Sequence, residues 1–336
     1  MHIGIMGAGA IGCYLGGCLH TAGQRVTLIG RSWMQKHIQT NGLRISRHNG
    51  PTHHHVLSSA LQFHTTPAAL KGCDVVLVTV KNRDTPTAAQ QLARHLSAAT
   101  AVISFQNGLH NHTALQAALP QRTVLAGMVP FYVGQIHPGH FHQATTGTMA
   151  LSPGPQTKAL MAAFRTATLT IQHHSDMPGV LWTKLLFNLN NAINALCDLP
   201  LQQQLAERQY RLLTAAAMAE GLAVLRRAAI TPRRIGTMIP SLAVRILRLP
   251  NWAFVRMANS MIQMDPTARS SMWDDLQRRR RTEIDDLNGE VVALGERVGH
   301  PTPINTHLCA LIRHAEREED GSPGLKPDAL WPTTAP

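Results

Sequence analysis

The chain is short of acidic residues. Among its 336 residues, 31 are Lys or Arg and only 19 are Asp or Glu, which gives a formal net charge of +12. A surplus of this size favours anionic partners, such as nucleic acid, a membrane surface, a phosphorylated cofactor or an acidic substrate. Hydrophobic residues make up 44% of the chain, which excludes intrinsic disorder as a description of the whole.

Patterned cysteines and long apolar runs are also missing. The five cysteines have no C-x-x-C spacing, which excludes a zinc ribbon and a secreted disulfide framework and favours a reducing, cytoplasmic compartment. The histidine run at 53–55 lacks the spaced partners of a metal site, so no metal is expected. The best membrane candidate, 238–257, is interrupted by Arg245, Arg248, Pro250 and Arg256. Residues 1–18 lack the basic start of a signal peptide, so we expect a soluble protein.

The apolar pattern changes along the chain. Short β-rich runs alternate with helical stretches in the first half, which predicts a parallel sheet with crossover helices. From about residue 177 the pattern is helical and includes a helix over 272–298. We therefore predict an α/β Rossmann-type N-terminal domain followed by an all-α C-terminal domain. The expected bounds are 1–175 for the first domain, 176–317 for the second and 318–336 for a flexible tail.

A glycine-rich turn follows the first predicted strand, at 3–6. Its sequence is Gly7-Ala8-Gly9-Ala10-Ile11-Gly12, which has G-x-G-x-x-G spacing and opens an apolar helix. In this context the first glycine permits a tight turn, the second lets the backbone approach a pyrophosphate, and the third lets helix and strand pack closely. The six residues predict a dinucleotide site. The alternative is a turn whose glycines serve packing alone.

The residue after the second predicted strand, at 25–29, indicates which dinucleotide binds. NAD sites have a carboxylate about 20 residues beyond the glycines, where it binds the ribose 2′-hydroxyl. Arg31 lies there instead, 19 residues after Gly12, and Ser32 follows it. A guanidinium pairs with a 2′-phosphate through charge-assisted hydrogen bonds, so the sequence favours NADP(H) as the cofactor. The alternative is an exposed arginine without this role.

Polar residues follow two further predicted strands, at 75–80 and 101–105. The first strand leads into Lys81 and the second into Gln106-Asn107-Gly108. Because ligands gather at the carboxyl ends of the strands in an open α/β sheet, Lys81 and Asn107 are candidate contacts for cofactor or substrate. A solvated lysine and a turn-forming Asn-Gly pair remain the alternative.

A polar stripe crosses the apolar helix predicted at 181–196. At 100° per residue, Asn188 lies about 40° from Lys184 on one side, and Asn191 lies about 20° from it on the other. Burial of a lysine among amides lowers its pKa towards the range that suits proton transfer, which makes these three residues candidates for a site. The alternative is a lysine that reaches water from the helix edge. Asn190 and Asn194 point away and are expected to be structural.

The segment 270–285 contains a helix start and an arginine run. Ser271 and Asp274 have the spacing of a capping box, with Ser271 as the N-cap. The four arginines at 278–281 face all directions around a helix and lack interleaved aromatics, so a solvated face is a better interpretation than a nucleic-acid site.

Taken together, these segments resemble the ketopantoate reductase (2-dehydropantoate 2-reductase) family over about residues 1–315. The motifs that carry the resemblance are Gly7-Ala8-Gly9-Ala10-Ile11-Gly12, Arg31, Val78-Thr79-Val80-Lys81, Gln106-Asn107-Gly108, Trp182-x-Lys184-Leu185-x-x-Asn188, Ser271-Met272-x-x-Asp275 and Arg281-Thr282-Glu283-Ile284-Asp285.

The resemblance implies an NADP-dependent oxidoreductase acting on a CH–OH group. It implies reduction of the 2-oxo group of ketopantoate to (R)-pantoate, on the way to pantothenate and coenzyme A, in a cleft between the two domains. By position, the residues correspond to a catalytic lysine (Lys184), an active-site glutamate (Glu283), cofactor and substrate contacts (Lys81 and Asn107) and substrate contacts (Asn188 and Ser271), to which we add Asn191.

The sequence departs from the family pattern at two positions. Ala192 and Ala268 stand where many members have asparagines on the substrate side, so the identity of the oxo acid and the choice of Asn191 or Asn194 as the second substrate amide stay open. In addition, Ser271 and Glu283 are 12 residues apart, about 18 Å along an unbroken helix, and could not both contact one small carbonyl. Either the helix breaks between them, or one of the two contacts a different part of the ligands.

Two other functions stay open. One is a related reductase for another branched 2-oxo acid, and the other is a regulatory protein that senses NADP without turnover. The expected partner is a small 2-oxo acid, with no nucleic acid and no membrane, and a homodimer is left open. The arginines between 226 and 281 are interpreted as a solvated surface.

Overall fold

The structure is a computed structural model and describes residues 1–48, 54–56, 58–258 and 265–332. The chain divides into two compact units, Met1–Met177 and Pro178–Pro336. Two parts of the histidine run, His54 and His55, fall in a short strand, and the third lies outside the described residues. Within the part of the chain that is described, no helix has the length and apolar character needed to cross a membrane.

The first unit is built on strands. In chain order they are β1 (His2–Met6), β2 (Arg25–Ile29), β3 (Leu43–Arg47), β4 (His54–Val56), β5 (Gln62–His64), β6 (Val75–Val78), β7 (Ala101–Ser104), β8 (Val124–Met128), β9 (Val133–His137), β10 (His140–Gln143), β11 (Met149–Leu151) and β12 (Ile171–His173). Its helices are α1 (Ala10–Thr21), α2 (Ser32–Asn41), α3 (Thr85–His95), α4 (Asn111–Ala118) and α5 (Thr157–Thr166), with 3₁₀ turns at Ser58–Ala60, Pro67–Leu70 and Asn82–Asp84.

These strands form two sheets. The larger has the order β12-β11-β8-β7-β6-β1-β2-β5, and the smaller has the order β4-β3-β10-β9. From β5 to β8 every neighbouring pair in the larger sheet is parallel, so its six parallel strands follow the order 3-2-1-4-5-6. This is the strand order of dinucleotide-binding folds. The predicted α/β architecture is confirmed.

The core of the first unit lies on both faces of the parallel sheet. Successive side chains of a strand point to opposite faces, so Ile5 and Leu77 belong to one apolar cluster while Met6 and Val78 belong to the other. Burial on both faces explains why β6 and residues 3–6 of β1 carry no polar side chain, as parallel sheets covered by helices require. Their carboxyl ends carry the glycine turn and Lys81.

The second unit is helical, and its described residues add only an isolated bridge between Ile235 and Met238. The helices are α6 (Met177–Asn188), α7 (Asn190–Cys197), α8 (Leu201–Ala206), α9 (Arg208–Arg227), α10 (Pro240–Leu247), α11 (Asn251–Met257), α12 (Ser271–Gln277), α13 (Asn288–Arg297), α14 (Pro303–Glu318) and α15 (Pro327–Leu330). The prediction of a mostly helical C-terminal region is confirmed.

The helix predicted over 272–298 is wrong in its middle. It ends at Gln277, and the next helix begins only at Asn288. Arg279 has a φ of 52°, a left-handed conformation that ends the first helix, and the Arg280 N–H donates to the Asp275 carbonyl at 2.9 Å. The sequence gives no sign of this break, because residues 278–287 contain neither glycine nor proline.

A flexible tail was also expected, but in the structure residues 319–332 make hydrogen bonds to the helical unit. The Ser322 hydroxyl donates to the Ala195 carbonyl at 2.6 Å, and the Leu325 N–H donates to the Leu196 carbonyl at 2.7 Å. The Tyr210 hydroxyl donates to the Leu325 carbonyl at 3.0 Å. These hydrogen bonds attach the tail to α7 and α9, so it is part of the helical unit.

Candidate active site

The glycine turn lies between β1 and α1. Gly7 has a φ of 109°, and its N–H donates to the Ile29 carbonyl at 3.0 Å. A Cβ at Gly7 would lie 2.7 Å from the Val80 nitrogen, and one at Gly12 would overlap the Gly7 carbonyl oxygen. Two of the three glycines are therefore required by the protein's own packing.

Gly9 differs from the other two glycines. A Cβ there would have no protein atom within 4 Å, and the φ of Gly9 is −86°, which any residue can adopt. The protein's fold thus gives no reason for a glycine at this position. Gly9 directly precedes α1, whose first turn contains no acidic residue. The N-terminus of a helix carries partial positive charge, so an open approach at Gly9 suits an anionic group.

Arg31 follows β2, where the sequence analysis places recognition of the adenosine ribose. Its side chain is 61% exposed, and Nη2 lies 3.5 Å from Oδ2 of Asp84. Asp84 ends the 3₁₀ turn after β6 and was not among the predicted site residues. The two residues are 53 positions apart, so sequence spacing offers no signal for this ion pair.

Lys81 and Asn107 lie on loops that a buried glutamine ties together. The Gln106 amide donates to the Val80 carbonyl at 3.1 Å and to Oγ1 of Thr85 at 2.7 Å, while its oxygen accepts from the Ser104 hydroxyl at 3.1 Å. These bonds fix the residue before Lys81 relative to the residue before Asn107. Within the first unit, the structure therefore holds both candidate contacts at the carboxyl edge of the parallel sheet.

Two asparagines that the sequence analysis missed extend this arrangement. The Asn111 amide donates to Oδ1 of Asn82 at 2.7 Å and to the Asn107 carbonyl at 2.5 Å. Asn111 also accepts from the Thr85 hydroxyl at 2.8 Å. They give no signal in the sequence, because an asparagine near a helix start is common.

In the helical unit, Lys184 lies near the end of α6 and is half-buried. Burial lowers the pKa of its ammonium to about 8. The preceding residue anchors this helix, since the single proton of the Thr183 hydroxyl is shared between the Gly179 carbonyl at 3.0 Å and the Arg233 carbonyl at 2.7 Å. Asn188 ends α6 and is buried, and Asn191 is half-buried in the first turn of α7, across a helix break at Leu189.

Asn190 and Asn194 have structural partners. Oδ1 of Asn190 accepts from Gln204 at 2.6 Å and from the Thr214 hydroxyl at 2.8 Å. The Asn194 amide donates to the Leu199 carbonyl and to Oε1 of Gln204. With these groups occupied, Asn191 is the better candidate for a second substrate amide.

The predicted N-cap is wrong by one residue. Ser270, not Ser271, caps α12, because its hydroxyl accepts from the Trp273 N–H at 3.1 Å and donates to the Asn191 carbonyl at 3.1 Å. The capping-box spacing selects Ser271, because Trp273 and not an acidic residue lies three positions after Ser270, and only the hydrogen bonds in the structure identify Ser270 as the cap. Ser271 is the first residue of α12 and is half-buried.

Glu283 lies in the loop between α12 and α13 and is 8% exposed. The loop is held next to it, since the Thr282 N–H donates to Oε1 of Glu316 at 2.7 Å. Because α12 ends at Gln277, Ser271 and Glu283 do not share one straight helix, and the 18 Å separation expected along such a helix does not apply.

Ala192 and Ala268 are both buried, with 0% and 4% exposure. Each therefore places a methyl group where many family members have an amide. The described residues contain no group of three or more His, Cys, Asp or Glu that could hold a metal ion.

A glycine turn on a 3-2-1-4-5-6 parallel sheet is the arrangement of dinucleotide-binding folds, and in this chain a helical unit with a half-buried lysine follows it. The family model "Ketopantoate reductase PanE/ApbA" matches residues 3–156, and the model for the C-terminal part of the same family matches residues 176–316. The chain belongs to the ketopantoate reductase family.

Named relatives extend over nearly the whole chain. The 2-dehydropantoate 2-reductase of Halobacterium salinarum is 28% identical over 333 residues, covering 95% of this chain and 100% of the relative. The crystal structure of a PanE/ApbA family ketopantoate reductase from Ralstonia eutropha is 32% identical, with a TM-score of 0.79, covering 95% of this chain and 99% of that one.

A third similar structure is that of D-mandelate dehydrogenase with NADH and anilino(oxo)acetate. It is 19% identical, with a TM-score of 0.75, and covers 95% of this chain and 100% of that one. At this identity the likeness shows a shared fold.

Proposed function

We propose that this protein reduces 2-dehydropantoate (ketopantoate) to (R)-pantoate with NADPH, a step that serves pantothenate and coenzyme A synthesis. The observation that carries this proposal is Lys184, a half-buried lysine whose pKa is lowered to about 8. The named 2-dehydropantoate 2-reductases, similar over the whole chain, support the choice of substrate. The five cysteines are free and buried, which supports a reducing, cytoplasmic setting.

The residues of the glycine turn suit a dinucleotide. At Gly9 the protein leaves open the space that a side chain would fill, so a pyrophosphate can approach the backbone at the start of α1. Arg31 would hold the 2′-phosphate, and Lys81 and Asn107 would contact the rest of the cofactor or the substrate. NADPH, when bound, supplies the hydride. The described residues of the turn then serve to bind and orient it.

Lys184 would act as the general acid. When hydride adds to the carbonyl carbon, negative charge develops on the carbonyl oxygen, and an ammonium group stabilises this charge and donates its proton from Nζ. A pKa of about 8 suits this role, because the lysine is protonated at neutral pH yet gives up its proton readily. Glu283 would serve as the electrostatic partner of the lysine or as a cofactor contact. Asn188, Asn191 and Ser271 would bind the substrate.

A second candidate function is reduction of another branched 2-oxo acid. The buried methyl groups of Ala192 and Ala268 favour it, because they remove two amides from the family's substrate side. Non-catalytic NADP sensing is the third candidate, and the retention of both Lys184 and Glu283 argues against it.

NADPH oxidation at 340 nm against a panel of 2-oxo acids tests the proposal. The panel contains 2-dehydropantoate, 2-oxoisovalerate and phenylglyoxylate, and we expect the highest kcat/KM with 2-dehydropantoate. A higher value with 2-oxoisovalerate or phenylglyoxylate would favour the second function, and tight NADPH binding without turnover would favour the sensor. Lys184→Met is the control, with an expected loss of at least about 100-fold in kcat and retained NADPH binding.

A further inference from the structure

The first unit has very few carboxylates. Residues 1–177 contain twelve Lys and Arg but only three acidic side chains, Asp74, Asp84 and Asp176. The positive charge of the chain is therefore concentrated in the unit that carries the glycine turn. Against this background, a carboxylate beside Arg31 is a specific feature of the site and not one charge among many.

Asp84 lies beside Arg31 although it belongs to a different loop of the sheet. In dinucleotide-binding folds, the group that follows the second strand recognises the 2′ substituent of the ribose, and in NAD sites it is a carboxylate. Here Arg31 follows β2, while Asp84 comes from the loop after β6, 53 residues later along the chain. Its Oδ2 nevertheless lies 3.5 Å from the Arg31 guanidinium. An arginine and a carboxylate, the two kinds of side chain that recognise the ribose 2′ substituent, thus lie next to each other.

Apart from the ion pair with Arg31, the structure shows no clear role for the Asp84 side chain. It directly precedes α3, but its side chain makes no capping hydrogen bond, and proline occupies the first turn of that helix. Its Oδ1 lies 3.9 Å from Nε of Arg83. The Arg31 and Asp84 side chains are 61% and 40% exposed, and ion pairs this exposed contribute little to folding stability.

The carboxylate has opposite effects on the two cofactors. It repels a 2′-phosphate, which carries close to two negative charges, and competes with it for Arg31. It can also accept a hydrogen bond from a free 2′-hydroxyl. Its benefit to phosphate binding, by orienting Arg31, is small because the pair is exposed. Exposure screens the repulsion as well, but the repulsion acts on the nearly two negative charges of the phosphate, so we expect it to be the larger effect.

We propose that Asp84 is a second specificity residue for the nicotinamide cofactor, which lowers the preference for NADPH that Arg31 creates and lets the enzyme also use NADH. This inference rests on the proposed function, because it takes Arg31 as the 2′-phosphate contact.

Asp84→Asn tests the inference, since it removes the charge and keeps the shape. Dissociation constants are measured for NADPH and NADH, and for the fragments 2′,5′-ADP and 5′-AMP. We expect NADPH and 2′,5′-ADP to bind about three- to tenfold more tightly, less so at high salt, with no gain for NADH or 5′-AMP.

Asp74→Asn is the matched control. Asp74 precedes β6, at the opposite end of this strand from the loop that carries Asp84, and its Oδ2 accepts from the His2 N–H at 2.7 Å. The net charge changes by the same amount, so a general charge effect would appear in both variants. We expect the ratio of NADPH to NADH affinity to stay unchanged in Asp74→Asn.

Weaker NADPH binding by Asp84→Asn, or an unchanged cofactor ratio, overturns the inference. Arg31→Ala separates this failure from a failure of the proposed function. If Arg31→Ala weakens NADPH and NADH equally, the 2′-phosphate assignment is wrong and the role of Asp84 is wrong with it. If Arg31→Ala weakens NADPH selectively while Asp84→Asn leaves the ratio unchanged, only the role of Asp84 is wrong.

Discussion

Oδ1 of Asn194 accepts a hydrogen bond from the backbone N–H of Ser270 at 2.7 Å, across 76 residues of chain. The same side chain is fully buried and donates to Leu199 and Gln204. Asn194 therefore joins α7, which carries Asn191, to the start of α12, which carries Ser271. One buried amide fixes the relative position of two proposed substrate contacts.

Asn194→Ala and Asn191→Ala separate structure from substrate binding. Because Asn194 loses three buried hydrogen bonds, we expect its alanine variant to lower the free energy of unfolding by about 2–4 kcal/mol. Asn191→Ala should change stability by less than about 1 kcal/mol and raise KM for the 2-oxo acid. Urea denaturation and steady-state kinetics measure both. Loss of stability in Asn191→Ala without a change in KM would contradict its role in substrate binding.

The two adjacent serines allow a similar comparison. Ser270→Ala removes an N-cap and a bond to the Asn191 carbonyl, so we expect a loss of about 1–2 kcal/mol in the free energy of unfolding. Ser271→Ala should unfold like the wild type and raise KM without changing the affinity for NADPH. Should Ser271→Ala be the less stable of the two, the capping assignment is wrong.

Two glycines of the turn should respond in opposite ways to alanine. At Gly12 the new methyl group would overlap the Gly7 carbonyl, so we expect a loss of about 1–3 kcal/mol in stability. At Gly9 the methyl group meets no protein atom, so stability should be unchanged while NADPH binding weakens at least about tenfold. Thermal unfolding and cofactor titration measure the two effects. Normal NADPH affinity in Gly9→Ala would rule out a pyrophosphate close to this residue.

The lowered pKa of Lys184 predicts the pH dependence of reduction. A general acid must be protonated, so kcat/KM should be constant below about pH 7, fall to about half at the pKa of about 8, and decrease about tenfold per pH unit above about pH 9. A lysine with the ordinary pKa of about 10.4 would leave kcat/KM unchanged up to nearly pH 10. In Lys184→Arg, whose side chain stays charged, the residual activity should lose the decline near pH 8. A wild-type plateau extending to pH 10 would contradict the assignment.

Most of the predictions that the structure agrees with rest on local sequence patterns. The glycine turn and the alternation of strands and helices are local, so they identified the α/β unit and placed Gly7 and Gly12 in a tight turn. The polar stripe likewise placed Lys184 on an apolar helix. Because each of these features depends on residues close together in the chain, spacing was sufficient to find them.

Contacts between segments that are distant in the chain could not be predicted from local spacing. The choice of Ser270 over Ser271 as N-cap depends on Asn191 and Asn194, and the ion pair of Asp84 with Arg31 joins two separate loops. The end of α12 depends on a left-handed arginine that no glycine announces. In each case the deciding partner is distant in sequence or the residue type gives no signal.

We propose that NADPH bound to this chain transfers hydride to the 2-carbon of a 2-oxo acid. The most direct test is reduction of 2-dehydropantoate with NADPH deuterated at both C4 positions, followed by mass spectrometry of the product. We predict (R)-pantoate one mass unit heavier, with deuterium at C2, and at least about 100-fold slower formation by Lys184→Met. Unlabelled pantoate, or no pantoate while NADPH is bound, would contradict the account.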